Sequence, residues 1–217
     1  MLSLGAAMLA AQSSKAPLDK NFAFKDGVYL SFEQFQQNTP ALGWDEVEAL
    51  LVSNMQNYSA QAEYIRRKGG DTLAVEEIWG FALEGLPFIR ITDTLSRKRA
   101  IAFAGLRVRG RICYFTFETE KIEQIPIAAY NPLTGKPFRK GVASRKAMVL
   151  QERILHFETG ELRPFGRATL LDWMADDRQM QRTVEEMTEE EVAEKLFKCL
   201  LIYDDRNPVW IEVAKGG

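Results

Sequence analysis

Residues 77–91 read EIWGFALEGLPFIRI. Two apolar runs, 77–82 and 88–91, flank Leu83-Glu84-Gly85-Leu86, a glycine-containing loop of hairpin length. The arrangement recurs downstream. Runs 99–108 and 111–118 flank Arg109-Gly110 as a second tight turn, and 122–130 follows as a further strand. The stretch 131–137, NPLTGKP, is dense in turn formers and makes a loop. Residues 145–158 then form a long strand ended by Thr159-Gly160. β-runs at such short spacing imply an antiparallel meander that closes as a sandwich or barrel-like sheet. In the strand from Arg111, Cys113, Phe115 and Phe117 face one way and Ile112 and Tyr114 the other. With both faces apolar, that strand is central and covered by a second layer. Met148, Leu150 and Ile154 against Val149, Leu155 and Phe157 give the strand from Arg145 the same character.

Upstream, residues 27–30 read as a short strand, and Ser31-Phe32-Glu33-Gln34 matches the capping-box pattern of a helical turn. Asn38-Thr39-Pro40 ends it, since a residue before proline avoids the α region. Residues 44–68 fit two periods: Val47, Leu51, Met55 and Tyr58 form a helical stripe, whereas Val47, Ala49, Leu51 and Ser53 alternate as a strand does. Strands are the expectation, because hairpins follow. The last third turns helical. Residues 168–174 make a short apolar helix. Thr188-Glu189-Glu190-Glu191 is a second capping box, opening a helix that runs to about Tyr203. Asp204-Asp205-Arg206-Asn207-Pro208 stops it, and 209–213 alternates as a final strand. The expected class is α+β: an antiparallel β-meander with C-terminal helices and a closing strand.

The chain has 217 residues, 46% hydrophobic and 27% charged, with a formal net charge of −2. That balance argues against a nucleic-acid partner, whose footprint is a basic domain. The opening, MLSLGAAMLAAQ, carries no charge and closes on small residues, as the apolar half of a secretory signal peptide does. Its positively charged end is missing, since the first basic residue is Lys15. The expectation is a signal-peptide remnant and linker over 1–21, a single α+β domain over 22–217, and an extracytoplasmic address, periplasmic or secreted. The apolar run is too short to span a bilayer, so no transmembrane segment is expected. The first cysteine is Cys113, which excludes a lipid on a cysteine at the cleavage point. Cys113 and Cys199 sit among apolar neighbours and read as free, buried thiols, although an oxidising compartment would let them pair.

The segments GVYLSFEQF with NTP (27–40), IWGF with FIR (78–90), GRICYF (110–115) and LHFETGE (155–161) resemble an uncharacterised family of exported, signal-peptide-bearing proteins from Bacteroides-like bacteria. The resemblance runs over most of the chain after residue 22. It implies export, and it brings no activity and no catalytic residues.

His156 is the only histidine, which rules out multi-histidine metal sites and weakens any nucleophile–histidine triad. It reads as a strand residue facing solvent or a local partner. No G-x-S-x-G, Walker loop, H-E-x-x-H or C-x-x-C occurs, so neither catalytic residue nor metal nor cofactor is expected. Asp176-Asp177, Asp204-Asp205 and Glu189-Glu190-Glu191 are adjacent in sequence, whereas glycosidase chemistry needs carboxylates facing across about 5–10 Å. They read as caps and solvated turns. Two basic groups stand out. Arg97, Lys98, Arg99, Arg107, Arg109 and Arg111 gather at the ends of the second hairpin. Lys136, Arg139, Lys140, Arg145 and Lys146 surround the Pro/Gly loop. Arg107, Arg109 and Arg111, spaced by two, can share a face and meet an acidic glycan, a lipid headgroup or a partner protein. Trp79 beside Gly80 either lines a groove or packs the core. The sequence thus points to a non-catalytic extracytoplasmic binding or interaction module, with Arg107, Arg109, Arg111 and Trp79 as candidate contacts for an envelope protein or glycan. The alternative is a hydrolase acting on glycan or peptide through paired carboxylates. Oligomeric state is left open.

Overall fold

The structure is a computed structural model that describes residues 14–92, 101–130 and 132–213. The expected signal segment, Arg97–Arg99 and the start of the second hairpin lie outside the described residues. In chain order the elements are β1 (Ser14–Pro17), β2 (Gly27–Tyr29), α1 (Phe32–Gln36), β3 (Val47–Asn54) and β4 (Ser59–Arg67). Then come β5 (Gly80–Leu83), β6 (Leu86–Arg90), β7 (Ile101–Gly105), β8 (Ile112–Tyr130), β9 (Pro137–His156) and β10 (Leu162–Pro164). The chain ends with α2 (Arg167–Trp173), α3 (Arg178–Glu185), α4 (Glu189–Arg206) and β11 (Trp210–Val213). The fold is α+β and mostly antiparallel sheet, with the expected C-terminal helices and final strand. The helix α3 has no counterpart in the sequence reading.

Six strands, in the order β2-β5-β6-β7-β4-β3, form a curled half-barrel. Its centre is the hairpin that the sequence marks most clearly. Glu84 and Gly85 both take positive φ, 52° and 75°, in a two-residue turn between β5 and β6. That is the type I′ geometry whose twist matches the flanking strands, and glycine supplies the second position without strain. Within 44–68 the expected strands form, as β3 and β4, turning at 55–58. Phe81, Phe88 and Phe103 point into the concave core with Val47, Ile65 and Ile78. Their neighbours Ala82, Ile89 and Ala104 point the other way, as the period of two requires.

The second sheet, β10-β9-β8, lies between the half-barrel and the helices. Cys113, Phe115, Leu155 and Phe157 face the half-barrel. Ile112, Tyr114 and Ile154 face α2–α4, where Leu170, Trp173, Leu200 and Tyr203 complete a third core. The two apolar faces read from 111–117 are thus both covered. Two expectations are corrected. First, 101–108 and 111–118 are not a hairpin: β7 belongs to the half-barrel and β8 to the second sheet, and the crossing between them is tied by the Val108–Tyr114 bridge and the Arg107 amide on the Tyr114 carbonyl. Second, the strand from Arg145 is covered at one end only, since Met148 and Leu150 are exposed.

Residues 14–18, read as linker from sequence, are built into the fold. β1 pairs with β11 in register Ser14–Val213 to Pro17–Trp210, and Leu18 is buried in the core between the two sheets. Cys113 and Cys199 are free and buried. Burial pushes the Cys113 thiol up to about 12, so it holds no thiolate at neutral pH. Burial also raises the Cys199 thiol. A thiol reagent is therefore expected to label neither cysteine in the native protein at neutral pH and both in denaturant without reductant. Rapid native labelling would contradict the packing described.

Candidate functional site

The three arginines do not share a face, because the turn that would have aligned them is the crossing between two sheets. Arg107 stacks its guanidinium 5.0 Å from the Tyr58 ring centroid and donates to the Asn57 carbonyl at 3.3 Å. Arg109 turns inward, donating to the Phe22 carbonyl at 2.7 Å and to the Lys20 carbonyl. Burial draws its pKa down. Arg111 clasps two carboxylates, Glu158 at 2.8 Å and Asp176 at 2.5 Å. Trp79 packs against Phe35 with ring centroids 4.5 Å apart, in the core between the sheets. Each of these side chains joins separate segments of the fold.

The sequence singles out Asp176 only beside Asp177; its meeting with Glu158 on Arg111 is not legible there, because Glu158 follows β9 and Asp176 follows α2. Asp176 also accepts from the Tyr203 hydroxyl at 2.8 Å. Burial opposes its ionisation, yet the Tyr203 hydroxyl and Arg111 together hold its pKa below the usual range. Arg111, Glu158, Asp176 and Tyr203 thus form one hydrogen-bonded ion-pair cluster. His156 packs edge-on against Trp173 at 5.2 Å, with Nδ1 buried and without a hydrogen-bond partner. Burial lowers its pKa, keeping the ring neutral. Among the described residues, no group of three or more His, Cys, Asp and Glu is placed to hold a metal ion. A cleft of about 180 Å³ lies between the sheets, lined by Arg90, Ile91, Thr92, Phe115, Phe117, Arg153 and Leu162.

The feature that sequence missed is larger. The separate strands expected at 111–118 and 122–130 are one strand, β8, paired with β9 from Ile112–His156 to Tyr130–Pro137. β10 pairs only with Arg153–Leu155. From the Glu118–Leu150 rung outward the two strands run on as a bare ribbon, about 40 Å long at 3.4 Å per residue. Register places Glu118, Glu120, Ile122, Gln124, Pro126, Ala128 and Tyr130 on one face with Leu150, Met148, Lys146, Ser144, Val142 and Lys140. Ile122, Tyr130, Val142, Met148 and Leu150 are all more than half exposed there. Near the base, Lys146 pairs with Glu120 at 2.9 Å, and Arg145 with Glu123 at 3.2 Å. Beyond Glu123 the ribbon changes character: no Asp or Glu occurs from Gln124 to Gln151. Among the described residues no carboxylate pairs with Lys136, Arg139 or Lys140, and Leu133 at the apex is 93% exposed. Alternation gave the faces of these strands. It did not reveal that, among the described residues, no other strand or helix packs on them.

The chain matches no family model, and no similar curated protein or solved structure is found. No helix among the described residues is long and apolar enough to cross a membrane.

Proposed function

We propose that this chain is a non-catalytic binding or interaction module working outside the cytoplasm, and that the β8–β9 ribbon is its contact element. One observation carries the reading: a two-stranded ribbon projects from a well-packed body, with both strand edges unpaired among the described residues and large apolar side chains exposed. An isolated two-stranded hairpin is marginal in water. Open edges invite pairing with other chains, and exposed apolar patches mark interaction sites. A body that needed only stability would gain nothing by exposing Ile122, Val142, Met148 and Leu150. The apolar segment 1–12 supports the extracytoplasmic part of the reading.

Replacing residues 121–147 by Asn-Gly tests the division of labour between body and ribbon. The three cores take no side chain from that stretch. The thermal midpoint is therefore expected to stay within about 2 °C of the full chain. A photo-crosslinker at Val142 is expected to capture an envelope component in intact cells, while one at the equally exposed Val52 on β3 captures none. Equal crosslinking at the two sites, or recovery of the chain in the cytoplasmic fraction, would overturn the reading.

A further inference from the structure

We propose that the tip of the ribbon docks end-on onto an anionic lipid surface, with Leu133 and Tyr130 entering the interface and Lys136, Arg139 and Lys140 meeting the lipid phosphates. The proposal rests on the ribbon being the contact element, and it names what the ribbon contacts. The last rung is Tyr130–Pro137, and Arg139 and Lys140 lie opposite Ala129 and Ala128. The cations therefore sit within about 7 Å of the final rung, given the rise per residue of a strand. Ahead of Arg139 and Lys140 are Tyr130, 61% exposed, on the final rung and the apex residue Leu133, 93% exposed, with Lys136 in the same loop. An apolar leading edge, an aromatic ring at the shoulder and a collar of cations behind it is the order in which an interface presents acyl chains, glycerol and phosphate.

Charge fixes the direction of approach. The chain carries −2 overall, so with these three cations set aside the remainder carries −5. Toward the base of the ribbon Glu118, Glu120 and Glu123 are balanced by Lys121, Arg145 and Lys146, so the ribbon's net positive charge lies at its tip. An anionic surface attracts the tip and repels the rest, leaving tip-first contact as the favourable orientation. A nucleic-acid duplex lying along the ribbon would find net positive charge only at the tip, and tight duplex binding needs cations along the whole contact. Aliphatic Leu133 and Tyr130 gain most from an apolar medium, which lipid supplies and a phosphate backbone does not.

The test is flotation of the full chain with vesicles of phosphatidylcholine alone and with 30% phosphatidylglycerol. Binding is expected only to the anionic vesicles and is expected to weaken with salt. Each cation near such a surface is worth roughly a fivefold change in partitioning. The variant K136Q/R139Q/K140Q is therefore expected to lose on the order of a hundredfold. Leu133→Asp is expected to abolish binding with the thermal midpoint unchanged, because the apex touches no core. Full-chain protein that fails to float with anionic vesicles, or floats equally with neutral ones, overturns the proposal. So does a 30-base-pair duplex that binds the tip more tightly than the vesicles and displaces them. Tip-dependent self-association without vesicles, read by sedimentation velocity, likewise overturns it in favour of a second copy. Failure here with Val142 crosslinking retained would sink the lipid assignment and leave the contact element standing. Failure of both would sink both.

Discussion

Raising the pH from 5 to 8 is expected to remove about 2–3 kcal/mol of stability through one side chain, Asp204, and Asp204→Asn is expected to abolish that loss. Asp204 lies in the last turn of α4. Its Oδ1 accepts the Ile112 amide at 2.9 Å, and its Oδ2 is buried without a hydrogen-bond partner. Oδ2 rests against Gly110 so closely that a Cβ there would overlap the carboxylate. Burial pushes the pKa from 3.8 up to about 7, although the amides of Ile112 and Arg111 and the Arg111 charge pull it down. The sign follows. Between pH 4 and 7 the native protein keeps a proton that the unfolded chain has released. Stability is therefore full at low pH and falls as pH rises through 7. His156 works in the opposite sense, since burial lowers its pKa and stability falls as pH drops below the free value of 6.5. Its contribution is the same in the wild type and in Asp204→Asn, so the difference between the two isolates Asp204. Urea unfolding at pH 5, 6, 7 and 8 measures it. Parallel profiles for the two proteins would show that Asp204 is not the titrating group.

Asp204 also shows where sequence reading stops. Asp204-Asp205 at the end of a helix reads as a solvated turn, and Asp205 is indeed exposed. Nothing in the local pattern says that its neighbour will meet the start of β8, ninety residues earlier. The legible parts are those fixed by local physics. The Glu84-Gly85 turn needs two positive φ angles, and the Thr188–Glu191 capping box satisfies its own amides. The alternation at 112–117 separates two faces. The illegible parts depend on what is packed alongside. Arg109-Gly110 has the composition of a hairpin turn, yet the Gly105 amide donates to Tyr58 at 2.8 Å and the Leu106 amide to Pro87 at 3.0 Å. Those bonds keep the end of β7 in the half-barrel and send β8 to the other sheet, scattering Arg107, Arg109 and Arg111 among different partners. The tip cations were visible as a group around the Pro/Gly loop. That they stand at the end of a ribbon, and not on a sheet surface, required the β8–β9 register.

Phe35→Ala is expected to lower stability by about 3–5 kcal/mol and the thermal midpoint by roughly 10–15 °C. Phe35 is the inward residue of α1, only 1% exposed. Ser31 starts that short helix by accepting the Gln34 amide at 3.3 Å, and the Leu30 amide donates to the Gln34 side chain at 2.8 Å. These two bonds aim Phe35 at the point where four segments converge. Its ring stacks on Phe24 at 4.5 Å, lies 4.5 Å from Trp79, and meets Tyr29 and Phe157 edge-on at 5.7 Å and 5.9 Å. Phe24 and Tyr29 come from the N-terminal segment, Trp79 from the entry to β5, and Phe157 from the end of β9. Removing one ring therefore opens a void between the half-barrel and the second sheet, bordered by four aromatic rings whose planar shape limits collapse into it. Phe32, one turn away and partly buried, touches the same cluster from its rim at 6.5 Å from Phe35. Phe32→Ala is expected to cost about 1–2 kcal/mol, because water already reaches part of that ring. Denaturant unfolding of the two variants checks the contrast. If Phe32→Ala proved the more damaging, the junction between the sheets would lie at the surface of this cluster instead of at Phe35. A loss at Phe35 that spared the half-barrel and melted only β8–β10 with the helices would show that Phe35 joins two separately stable bodies. The continuous core from Ile89 and Ala104 through Phe35 to Leu155 and Phe157 argues for a single cooperative transition.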